Sequence, residues 1–296
     1  MGRYAMRQNT LKTEGDRIGT AMIAFLFFST ARLWMERSAA GFAVTPAGDA
    51  VRFALTAASL AVPVLLLRNV PYTREKGISW SAHRVWFLLL GLSAFLCMFY
   101  SLSLVWSSLL EGRNWSGLPA GGFPQTKTMR ILFLAERVVL PAVMEEILFR
   151  RMILGRMLPY GEGFAVLISA ALFALAHGTV MQTVPVFCTG LYLGCLYLIT
   201  GSLPACIGYH MINNGIAAWL SYLISVQRTD RYITAMYGIL LTGAVSVLLL
   251  VFRYRGHLVR GLETEPIGEK RNELLRSLPL DAAAALLILR IITEAG

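Results

Sequence analysis

The chain has 296 residues, of which 56% are apolar and 15% charged, with a formal net charge of +10 and a mean hydropathy of +0.60. Soluble domains carry about 25% charged residues, so this composition excludes an ordinary soluble enzyme and defines an all-α, polytopic membrane protein. The positive charge does not call for nucleic acid as a partner: Lys and Arg cluster beside apolar runs, where they act as topology signals.

At the N-terminus, Arg3, Arg7, Lys12 and Arg17 precede an apolar run that starts at Ile18. Small residues at Ser38-Ala39-Ala40 imitate the end of a signal peptide. However, Arg32 interrupts the run and Trp34-Met35-Glu36-Arg37 precedes the small residues, so an uncleaved first span is expected. A span needs about 20 mostly apolar residues. Eight stretches qualify: 18–35, 51–67, 85–109, 131–158, 164–178 (short, with ends that are partly loop), 182–199, 203–225 and 233–252. The longest connection, Glu111 to Arg130, is rich in Gly, Pro and Ser and suits a lid or re-entrant loop.

With the N-terminus in the cytoplasm, about 18 basic residues fall inside and about 7 outside, Arg32 and Arg137 lying within spans; the positive-inside rule favours this orientation. Eight spans return the C-terminus to the cytoplasm and make the chain integral to the cell (cytoplasmic) membrane. Residues 1–255 then form the transmembrane helical domain and 256–296 a basic cytoplasmic tail. That tail is charged enough to hold anionic head groups. Its run Ala282 to Ile292 is too short to span and reads as an interfacial or docking helix. Cys97, Cys188, Cys195 and Cys206 all lie in apolar runs, match no zinc spacing, and read as buried, inert thiols. There is no internal repeat of the kind a transporter would carry.

Chemistry enters with polar residues inside the spans. A charge at membrane depth costs about 2.5–3.5 kcal/mol on insertion scales, so it marks a protein-lined cavity. Three groups stand out. In Glu145-Glu146-Ile147-Leu148-Phe149-Arg150, Glu146 and Arg150 are four apart and can pair on one helix face. Glu145 lies about 100° round the helix and is free to face elsewhere. Phe173-Ala174-Leu175-Ala176-His177 ends an apolar helix with an imidazole, which alone would be a favourable partner for the helix dipole. In His210-Met211-Ile212-Asn213-Asn214, His210 and Asn214 share a face, which alone would be interhelical hydrogen bonding.

Register joins the three. Pro159 to Gly163 reads as a tight turn, with Glu145 and His177 equally far on either side of Gly161. An antiparallel hairpin puts both about 20–24 Å above that turn, and His210 and Asn214 about 12–18 Å above the next turn at Gly201-Ser202-Leu203-Pro204. An acid, two imidazoles and an amide from three helices thus share one layer, expected nearer the cytoplasmic side and facing the cytoplasm.

The patterns Glu145-Glu146-x-x-x-Arg150, Phe173-x-x-x-His177 and His210-x-x-x-Asn214, in this order in successive spans, resemble the CAAX-protease and bacteriocin-processing (CPBP, or Abi) family of intramembrane glutamic endopeptidases. The resemblance covers roughly Val138 to Trp219, and the family-like core is 131–225. It implies a metal-independent peptidase without a cofactor. In it Glu145 is the general base that activates water together with His177, His210 and Asn214 stabilise the oxyanion, and Glu146, Arg150 and Phe173 support the site. The substrate class it implies is a membrane-associated peptide or protein: a prenylated C-terminal motif, a leader peptide, a sorting-signal tail or a bacteriocin. Two other readings compete. A zinc protease has the right donor types, two Glu and two His, but lacks His-Glu-x-x-His. A non-proteolytic membrane scaffold that regulates a partner would tolerate loss of Glu145.

Overall fold

The computed structural model describes residues 2–38, 45–69, 81–110, 127–258, 274 and 276–295, all helix or short turn, with no strand among them. In chain order the helices are α1 (Gly2–Ser38), α2 (Pro46–Leu66), α3 (Ala82–Leu110), α4 (127–157), α5 (Glu162–Ala176), α6 (Val180–Thr200), α7 (Leu203–Ser225), α8 (Thr229–Leu258) and α9 (Leu278–Ala295). The expected lid at Glu111 to Arg130 lies for the most part outside the described residues.

Local chemistry sets the boundaries. Thr45 caps α2 by accepting from the Gly48 amide at 3.1 Å, with Pro46 in the first turn. Ser202 does the same for α7 with Ala205, followed by Pro204. Both prolines sit where a helix has no use for an amide donor. Gly201 closes α6 at φ 63°, a left-handed conformation that a side chain would resist. The turn expected at Pro159 to Gly163 is present as Leu158–Tyr160 followed by Gly161.

Among the described residues, four stretches are long and apolar enough to cross a membrane: Leu11–Ser38, Arg84–Leu110, Val180–Thr200 and Thr229–Arg253. Ala50–Leu66 and Glu162–Ala176 are shorter apolar helices. Leu109, Ile199, Tyr237, Leu241 and Phe252 point outward and exposed. Large side chains would not stay there in water, but they suit contact with lipid.

One polar layer ties the bundle at the end where α1 begins. Arg156 is buried, pairs with Glu14 of α1 at 2.5 Å, and donates to the carbonyls of Leu67 (2.9 Å) and Asn69 (2.6 Å) just past α2. At the other end, Trp106 near the end of α3 donates to the Val180 carbonyl at the start of α6 (2.8 Å). The helices therefore alternate in direction from α1 through α8.

Two readings of the sequence need revising. Cys195 is exposed on the outer face of α6 and Cys97 and Cys188 are half-buried; only Cys206 is buried. Apolar sequence in a span does not distinguish a face turned to lipid from one turned to protein. The second revision concerns the run Ala282 to Ile292. It belongs to α9, which stands upright beside α1 and parallel to it: Ser277 bonds Asp16 at 2.9 Å and Arg290 bonds Ser29 at 3.0 Å. The two backbones meet at Gly19, where a Cβ would lie 2.2 Å from the Leu280 nitrogen. Contact through a small residue is how membrane helices approach closely.

Candidate active site

The acidic pair sits where α4 leaves regular α geometry. Leu140–Glu146 is α-helical and Ile147–Leu154 is π-helical, with a further π segment at Ala135–Val139. Such widened turns are uncommon and concentrate at functional sites. Here the Phe149 carbonyl accepts the Ser169 hydroxyl of α5 at 2.7 Å, which locks the π segment to its neighbour.

Glu146 and Arg150 are both 0% exposed and lie 3.0 Å apart. The other oxygen of Glu146 accepts from His210 Nδ1 at 2.9 Å. A carboxylate has no proton to give here, so Nδ1 carries the hydrogen and Nε2 is left facing the other way. It faces Glu145, whose Oε2 is 3.9 Å away. Glu145 retains 17% side-chain exposure, and its Oε2 has no hydrogen-bond partner among the described residues. The two adjacent acids thus differ as their angular offset requires. One is tied down by a cation and an imidazole, and the other lines the cavity.

His177 caps α5, and its Nδ1 donates to the Phe173 carbonyl at 2.8 Å, an acceptor that leaves Nε2 as the unprotonated nitrogen of the neutral ring. Phe173 is the hub. It meets His177 edge to face at 4.8 Å, His210 at 5.8 Å and Phe149 at 5.1 Å, and the Arg150 guanidinium stands over its ring at 4.5 Å. This cation–π contact gives the buried arginine a second partner.

Glu145, His177, His210 and Asn214 line one cavity of about 270 Å³. Glu146, Arg150 and Phe173 lie behind its wall. All seven expected residues therefore meet at one place, four on the surface of the cavity and three supporting it. Among the described residues, no three His, Cys, Asp or Glu side chains stand where they could hold a metal ion.

Sequence reasoning missed half of the cavity wall. Ser29 and Arg32 come from α1, Thr56 and Ser59 from α2, Glu136 and Arg137 from α4, Gln182 from α6 and Arg290 from α9. Glu136 is buried and paired with Arg52 of α2 at 3.2 Å, with Thr56 at 3.4 Å. The signal that would have found Arg290 is the one used for Glu145, a charge within an apolar run. A run too short to span gives its arginine no such weight in the sequence.

Fold and site together define an all-helical membrane protein with a buried Glu–His cavity. Residues 127–216 match the family model described as Rce1-like, type II CAAX prenyl endopeptidase. The matched segment contains all seven residues above and agrees with the resemblance to the CAAX-protease (CPBP) family. This points to a membrane endopeptidase. No curated protein and no solved structure matches the chain.

Proposed function

We propose that the chain is a metal-independent glutamic endopeptidase that hydrolyses a peptide bond of a membrane-associated protein or peptide within the bilayer. The observation that carries this reading is the division of labour between Glu145 and Glu146. Glu146 is neutralised by Arg150 and His210, while Glu145 presents an unpartnered oxygen to the cavity that His177 shares.

In the proposed reaction a water between Glu145 and His177 gives its proton to the carboxylate as its oxygen attacks the scissile carbonyl. Positioned acid–base groups contribute typically about 10²–10⁴-fold. The oxyanion forms against the Asn214 amide and the imidazolium of His210, which donates from Nε2 while its Nδ1–H stays on Glu146, and Glu145 returns the proton to the leaving amine. Glu146 holds the His210 ring in one orientation, and Arg150 and Phe173 hold Glu146 and the rings in place. α1 to α8 are read as eight spans within residues 1–255, with 131–225 as the catalytic core and the N-terminal end in the cytoplasm. The cytoplasmic tail expected at 256–296 does not extend to α9, which rises beside α1 to the far end of the bundle.

The test compares terminal peptides of membrane proteins from cells that produce the wild-type chain or Glu145→Gln at matched levels, with and without a strong chelator. A terminus present only with the wild type, and unaffected by the chelator, supports the reading. Identical termini point to a scaffold, and loss with the chelator points to zinc.

A further inference from the structure

The cavity has a floor and a mouth, and they lie at opposite ends of the bundle. Leu60 and Phe149 close it from the side of the Glu14–Arg156 layer, both buried, at 3% and 1% exposure, and Phe25 walls it at mid-height. Arg137 and Gln182, both exposed, and half-buried Arg32 form its other end. On helical rise along α1 and α2, Leu60 stands about 10 Å above the Glu14–Arg156 layer, Phe25 and Thr56 about 16 Å, and Arg32 about 27 Å. The hydrocarbon core is about 30 Å thick. If the Glu14–Arg156 layer marks one face of the bilayer, the rim reaches the other. α5 explains the opening. With 15 residues it rises only about 22 Å, so it stops at His177 short of the rim and leaves the space above it to the cavity.

Basic residues at the helix ends identify the two faces. Among the described residues Lys12, Arg17, Arg68, Arg84, Arg151, Arg156, Arg253 and Arg276 lie at the floor end, against Arg37, Arg130, Arg228 and Arg231 at the mouth end, where Arg32, Arg52, Arg137 and Arg290 sit within the helices around the cavity. Loops rich in Lys and Arg stay in the cytoplasm.

We propose that the cavity is entered from the non-cytoplasmic side, so that the substrate is a polypeptide segment presented at the outer face of the membrane. This rests on the cavity being the substrate site. It reverses the cytoplasm-facing site that register along straight helices suggests. Register fixes only the height of the catalytic layer, whereas the direction of access depends on which side is plugged, and Leu60 comes from a helix that carries no family motif. A protein or peptide exported before cleavage meets this geometry, and one that remains in the cytoplasm does not.

The test is thiol labelling of the full chain in cells with a membrane-impermeant maleimide, read against the unsubstituted chain, whose four native thiols set the background. Gln182→Cys reports the rim, with Arg137→Cys as a second rim position. Thr56→Cys reports the cavity interior, and Arg276→Cys the opposite end. The expected result is labelling of Gln182→Cys and Thr56→Cys on intact cells, and of Arg276→Cys only in inverted vesicles. Labelling of Thr56→Cys from the inner face alone, or from neither face, overturns the proposal, as does a rim that reacts only in inverted vesicles. Labelling needs no turnover, so this result and the protease reading stand or fall separately.

Discussion

His210 Nδ1 donates to Glu146 Oε1 at 2.9 Å, a buried bond behind the cavity surface. That single bond fixes which nitrogen of His210 faces the cavity, and it makes Glu146 a positioning residue rather than a second base. An orienting carboxylate behind an imidazole sets tautomer and direction. Replacing Glu146 by Gln keeps an oxygen acceptor but allows the amide to turn and offer a donor instead. Glu146→Gln is therefore expected to lower kcat more than it changes KM, and Glu146→Asp to restore little because the shorter arm no longer reaches. Steady-state kinetics on a peptide substrate in detergent checks this split.

Glu145 is expected to behave differently. It makes no bond that holds the fold together, and it keeps partial exposure. Glu145→Gln should therefore leave folded yield and thermal unfolding near wild type while reducing cleavage by about 10²–10⁴-fold, the usual worth of an acid–base group. Asn214→Ala should cost about 10²–10³-fold, the usual loss for one oxyanion donor. Wild-type cleavage by Glu145→Gln would contradict its role as the base.

Arg150 and Glu146 form a buried pair, so removing one charge strands the other. Breaking such a pair costs about 3–5 kcal/mol, whereas replacing both partners by neutral groups is often tolerated. Arg150→Met alone should lower the amount of folded protein sharply. Adding Glu146→Gln should recover much of it, although cleavage stays low because His210 is no longer held. Thermal unfolding of the two single variants and the double variant gives the coupling directly.

The difference between what was readable in the sequence and what was not follows the range of the interactions. Glu146 with Arg150, and His210 with Asn214, are local spacings along one helix, and the Glu145–His177 register needs only one turn between two helices. All of these residues meet at the cavity. The π segment at Ile147–Leu154 was not legible, because its apolar pattern fits an α-helix equally well and no Pro or Gly marks it. Nor was the wall built by Ser29, Thr56 and Arg290. Those residues come from helices distant in sequence, and a hydroxyl or a lone arginine in an apolar run does not say what it will face. The exposure of Cys195 was hidden for the related reason that lipid and protein interior select the same side chains.

The parallel docking of α9 on α1 gives the last expectation. Gly15 faces Ser277, where an added Cβ would stand 2.9 Å from the serine Cβ, and Gly19 faces the Leu280 backbone. Disulfides form at Cβ separations of about 3.5–4.5 Å, so Gly15→Cys with Ser277→Cys needs only a small separation of the helices and should cross-link under mild oxidation. Gly19→Leu should push the helices apart, because a branched side chain has no room against backbone, and should lower the yield of that cross-link when combined with the two cysteines. It should also lower cleavage, since Arg290 reaches the cavity only while α9 stays docked and bonded to Ser29. Arg290→Ala separates the two effects: it should leave the cross-link intact and reduce cleavage. If the cross-link forms but Gly19→Leu leaves both yield and cleavage unchanged, α9 is a passive neighbour of the site. If cross-linking and cleavage fall together, the last helix is a wall of the catalytic cavity.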